Sequence, residues 1–160
     1  MASHRGRRPS RGVWRLGDWP AFPDSAASLG YLQRFYKLVI LSNVDRTSFA
    51  RSQRKLGVEF FAVYTAEDIG SYKPDPRNFS YLLDRLAQAG HPAGDILHVA
   101  QSLHHDHAPA NRAGLVSAWI DRRHGAGGGA TPPAESAVCY DFRFTSMAKF
   151  AAAHRAEQGN

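Results

Sequence analysis

Lys37-Leu38-Val39-Ile40-Leu41-Ser42-Asn43-Val44-Asp45 is the stretch on which the reading of the whole chain turns. An unbroken apolar run from Leu38 to Leu41, closed by a small polar pair, marks a strand covered on both faces rather than one alternating between core and water. On its amino-terminal side, Asp24 or Ser25 can cap a helix running through Leu29, Leu32 and Tyr36. On its carboxy-terminal side, a helical stretch through Phe49, Gln53 and Leu56 ends at Gly57, a residue type that readily closes a helix.

The alternation continues outward. Phe60 to Tyr64 reads as the next strand, and the turn Lys73-Pro74-Asp75-Pro76 precedes a helix whose apolar face includes Phe79, Leu82, Leu83 and Leu86. Gly90 closes that helix, Ile96 to Ala100 forms a strand, a short helix runs from about Asp106 to Arg112, and Leu115 to Ile120 forms another strand. Gly125 to Pro133 reads as a loop, Val138 to Phe144 as a last strand and Met147 to His154 as a closing helix. Short apolar strands alternating with helices predict an α/β protein, a parallel sheet with helices on both faces. In such a sheet, ligands sit beyond the carboxyl ends of the strands.

Composition bounds the rest. With 160 residues, of which 43% are hydrophobic, the chain can bury one core of ordinary size. The net charge of +6 is concentrated at one end: Arg5, Arg7, Arg8, Arg11 and Arg15 all precede Asp18. Without them the 20 basic residues fall to 15, against 14 acidic ones, so the body is nearly neutral. Residues 1–16 are therefore expected to be a disordered basic tail and 17–160 the folded core, with nucleic acid not the expected partner. Absence of a long apolar run predicts no membrane association and a soluble, cytoplasmic protein. Single Cys139 can form neither an internal disulfide nor a thiolate cluster, and is expected half-buried in a strand.

Three polar clusters fall at the predicted strand ends: Ser42-Asn43, Lys73, and Gln101 to Asp106. The topology would bring them to one rim. An apolar strand ending in Ser-Asn, a later Lys-Pro-x-Pro, and a strand followed by x-Ser-Leu-x-x-Asp occur in the order of the later motifs of the haloacid dehalogenase superfamily. From about Trp19 to Arg123 the chain resembles the carboxy-terminal part of that family's core, in its 2-haloacid dehalogenase-like branch.

The resemblance implies a Rossmann-like sheet and assigns roles. Ser42, with Asn43 beside it, would hydrogen-bond the reacting group, and Lys73 would balance negative charge on the nucleophile and the developing intermediate. Asp106 would orient Lys73 or position water. In phosphatases of the family that residue supports the metal. Gln101 and Ser102 would face the substrate. Each has a plainer reading: Ser42 capping the following helix, Lys73 solvated in a turn, Asp106 capping the helix that ends near Gly114.

At Gln101 the sequence departs from the magnesium-dependent members, which usually have Asp there. A neutral amide is a poor substitute for a hard anionic oxygen. No cofactor is therefore expected, magnesium belonging only to the phosphatase alternative, and the substrate class is a 2-haloacid before a phosphate ester. His104, His105 and His107 flank Asp106, but neighbours on one short helix point in different directions, so a rim histidine shaping the pocket is expected rather than a metal site. Tyr72, Arg77 and Asn78 lie close enough in sequence to Lys73 to touch a substrate carboxylate.

The family's first motif is a strand ending in Asp-x-x-x-Thr, whose Asp is the nucleophile. Asp18 and Asp24 end no apolar strand, and Asp45 lies within the second motif. The sheet is accordingly expected to lack its first strand, and the chain to lack the cap domain. Catalytic silence is expected of it as it stands, with self-association through an exposed sheet edge. A reading from another class is a non-catalytic binding or assembly module.

Overall fold

A computed structural model describes residues 21–123 and 138–159. The predicted tail and the loop Gly125 to Pro133 lie outside the described residues. Helix α1 (Ser25–Leu32) leads to strand β1 (Val39–Ser42), helix α2 (Arg46–Leu56), strand β2 (Ala62–Thr65) and the short helix α3 (Ala66–Ile69). Helix α4 (Arg77–Gln88), a 3-10 turn (Ala93–Asp95) and strand β3 (Leu97–Ala100) follow. A π-helical turn (Leu103–His107) then runs into helix α5 (Ala108–Arg112), strand β4 (Val116–Ile120), strand β5 (Phe142–Phe144) and helix α6 (Met147–Gln158).

All strand pairings among the described residues are parallel, as the buried apolar runs require. They form two sheets: β1 pairs with β2, and β3, β4 and β5 pair in that order. Register is Val39 to Ala62 through Ser42 to Thr65 in the first sheet, and Leu97 to Val116 through Ala100 to Trp119 between β3 and β4. Strand β1 is half-buried along its whole length, as are the last residues of β3, short of the complete burial expected of central parallel strands.

One helix joins the two sheets. Phe79, Leu82 and Leu86 of α4 form the core with Ala110 and Leu115, and Val39, Leu41, Tyr64 and Ile96 pack against them. The apolar face at spacings of three and four is the one the sequence marks, and fully burying each large side chain contributes roughly 1.5–3 kcal/mol. Elsewhere, α1 meets α6, where the His154 ring lies against Tyr31, Phe35 and Tyr36, and Tyr31 Oη is 3.0 Å from His154 Nδ1.

Several predicted boundaries move. Helix α1 stops at Leu32 rather than continuing through Tyr36, and the Asp24 side chain does not cap it. That carboxylate instead accepts from Arg122 (2.9 Å) and from the Ala148 N–H (3.1 Å), tying the start of α1 to the end of β4 and to α6. The last strand covers only Phe142–Phe144, and Cys139 is exposed ahead of it, not half-buried in a strand. Helix α2 ends as predicted at Gly57, whose φ of 64° lies in the left-handed region that favours glycine.

Candidate active site

Lys73 sits in the turn between α3 and α4, and its side chain is only 9% exposed. Its ammonium donates to the Leu41 carbonyl on β1 (2.8 Å) and to Asp106 Oδ1 in the π-helical turn (2.5 Å). One cation thus ties the end of the first sheet to the loop beyond β3. Asn43 fixes the backbone beneath it: Asn43 Nδ2 donates to the Lys73 carbonyl (2.9 Å), and the Lys73 N–H donates to Asn43 Oδ1 (2.7 Å). The paired bonds use both ends of the amide, a geometry that a carboxylate or an aliphatic side chain of similar size could not reproduce.

Asp106 is 13% exposed. Burial by itself would raise its carboxyl pKa, but His98 and the Lys73 ammonium outweigh that and hold it down at about 2. It is ionised throughout the physiological range. Asp106 caps no helix: Ser102 Oγ accepts from the His105 N–H (3.0 Å) and caps the π-helical turn, and Asp106 lies inside that turn. The plainer reading of Asp106 as an N-cap is therefore not what the structure has.

Ser42 ends β1, half-buried, and the cap of α2 is Asp45, whose carboxylate accepts from the Ser48 N–H (2.8 Å). Gln101 does not join Lys73 and Asp106: it is exposed, and its carbonyl accepts from Trp119 Nε1 (3.0 Å). Ser102 is engaged with His105 through its cap and through a second contact, Oγ to Nδ1 at 3.2 Å. Hydrogen bonds thus join Asn43, Lys73 and Asp106, with Ser42 beside Asn43 at the end of β1, while the Ser102 carbonyl accepts from the Asp106 N–H (3.1 Å) and Gln101 is exposed.

The remaining sequence candidates separate by burial. Arg77 pairs with Asp75 (2.9 Å) on the surface, Tyr72 is exposed, and Asn78 is buried, donating to Ser71 Oγ (3.2 Å) and the Asp75 carbonyl (3.1 Å). His107 is no rim histidine: it is fully buried, with Nε2 3.1 Å from the Ala100 carbonyl, and burial lowers its pKa, leaving a neutral ring. Among the described residues no group of three or more His, Cys, Asp or Glu is placed to hold a metal ion. A depression of about 240 Å³ between α2 and the β2–α3 junction, lined by Phe49, Val63 and the Arg46–Asp68 pair, contains none of the rim residues.

Sequence reasoning missed His98. It lies on β3 with Nε2 3.7 Å from Asp106 Oδ1. The available signal was a lone imidazole inside the apolar run Ile96 to Ala100.

Residues 5–114 match the profile of the haloacid dehalogenase-like hydrolases, a span that begins inside the Arg-rich segment and includes every rim residue. No curated protein matches the sequence. Among solved structures, L-2-haloacid dehalogenase from Xanthobacter autotrophicus with chloropropionic acid covalently bound is similar at a TM-score of 0.72 and 19% identity, covering 88% of this chain and 63% of that one. L-2-haloacid dehalogenase PA0810 is similar at 0.67 and 24% identity, over 84% and 56%. A HAD phosphatase from Thermococcus onnurineus is similar at 0.64 and 25% identity, over 83% and 57%. The chain therefore spans between about half and two-thirds of the length of these proteins.

Proposed function

Because the chain belongs to the haloacid dehalogenase-like hydrolases, we propose that its rim is the charge-stabilising half of a site for hydrolytic carbon–halide cleavage on a short 2-haloacid. The observation that carries this reading is the Lys73 ammonium, held between the Leu41 carbonyl and Asp106 on a backbone clamped by Asn43. A carboxylate nucleophile brought to this rim would displace halide and form an ester. Attack by water at that ester would then release the hydroxy acid and return the carboxylate, with one proton passing to solvent.

Lys73 serves both steps by placing a compact positive charge where negative charge develops, and Ser42 offers a hydroxyl donor to the same group. Asp106 keeps the ammonium aimed. No Asp-x-x-x-Thr precedes Ser42, and the one at Asp141 to Thr145 opens the last strand, Phe142–Phe144, rather than ending one. As these 160 residues stand, we therefore read the chain as catalytically silent.

The test is a version given an apolar strand ending in Asp-x-x-x-Thr together with a cap. Chloride or fluoride release from a short 2-haloacid, unaffected by chelator, is expected. No halide release would sink the substrate assignment.

The structural likeness to a HAD phosphatase supports a second reading, magnesium-dependent cleavage of a phosphate monoester. The donor set does not fit the ion well. Gln101 offers a neutral, exposed amide, and Asp106 is already committed to Lys73. Magnesium-dependent phosphate release by the restored protein would decide for that reading.

A further inference from the structure

His98 lies beside Asp106, and the proposed chemistry does not use it. It is 11% exposed, and its Nε2 has no hydrogen-bond partner among the described residues. That nitrogen and the Lys73 ammonium address the same atom, Asp106 Oδ1, at 3.7 Å and 2.5 Å. The imidazole is held in place by its edge-on contact with Phe79, ring centroids 5.2 Å apart, and by His107 at 6.0 Å. Its cross-strand partner on β4 is Ser117.

A buried carboxylate that loses its cation is costly, so a site in which Lys73 turns its charge toward a reacting group needs a second partner for Asp106. Among the described residues, the titratable groups around His98 are Lys73, Asp106 and His107. The contacts from α4 and β4 are Phe79 and Ser117, which do not titrate near neutrality. His107 already lies against the Ala100 carbonyl, which leaves His98 as the neighbour able to answer a change at Asp106.

We propose that His98 is a positioning residue that takes up Asp106 when Lys73 commits its charge to the reacting group, so that the carboxylate keeps its place through the reaction. The proposal rests on the reading of Lys73 as the charge stabiliser. It needs no nucleophile to be tested.

The experiment is imidazole ¹H–¹⁵N NMR of the chain as it exists, alongside Lys73→Met and the Lys73→Met/Asp106→Asn double variant. With the ammonium removed, the His98 Nε2–H is expected to shift downfield and to exchange with water about tenfold more slowly than in the wild type, as it donates to the freed carboxylate. The double variant should lose that signature. A His98 Nε2–H in Lys73→Met that cannot be told from the wild type overturns the proposal. Amide spectra confirm that each variant is folded, and should the double variant not fold, the comparison of wild type with Lys73→Met decides alone. A moved His98 signal without halide release from the restored protein would leave the His98 coupling standing and sink the substrate. Halide release with an unmoved signal would do the reverse.

Discussion

An ammonium group so far out of water is stable only with anionic and dipolar partners, and Lys73 has both in Asp106 and the Leu41 carbonyl. The carboxylate's depressed pKa makes this arrangement visible in stability. Asp106 moves from an ordinary value of 3.8 to about 2 on folding. It therefore contributes about 2 kcal/mol above pH ~4, lost as pH falls toward ~2, because the unfolded chain takes up its proton first. Chemical denaturation of Asp106→Asn should show that deficit at pH 7, and the gap from wild type should close between about pH 4 and 2. An equal gap at both ends of that range would mean that Asp106 acts through packing rather than charge.

At the scale of elements, the ends of strands and helices decide which polar side chains are free for chemistry. Asp45 caps α2 and Ser102 caps the π-helical turn, so Ser42 and Asp106 are released from capping duty. Ser42→Ala should therefore change unfolding free energy by less than about 1 kcal/mol, short of the usual effect of removing an N-cap. In the restored protein the same substitution should lower kcat for halide release by roughly tenfold or more, the scale of one lost donor to developing charge. A large stability loss with kcat unchanged would return Ser42 to a structural role.

Across the whole molecule, two parallel sheets are joined by α4 packing and by the Lys73–Asp106 pair rather than by strand pairing between β1 and β3. Leu97, Val116 and Phe142 are large apolar residues left exposed among the described residues of the second sheet. Unpaired strand edges and apolar patches favour association. We expect sedimentation to give a mass that rises with concentration, and a thermal midpoint that moves with it. A strict monomer with a sharp, concentration-independent transition would count against this.

The order of elements was legible in the sequence because apolar runs, helical periodicity and punctuating glycines are local signals. Leu38 to Leu41, the α4 face at Phe79, Leu82 and Leu86, and the stop at Gly57 all follow from period and backbone freedom alone. The ordered motifs also pointed to the family. The tertiary structure decided which polar residues meet. Asn43 and Lys73 are thirty residues apart in sequence, and Lys73 and Asp106 thirty-three, so their pairing depends on how strand ends align and not on any local pattern. Only the fold set Gln101 outward and His107 inward, and only the fold brought His98 to Asp106, because which face of a strand or turn looks into the site is fixed by packing across the sheet.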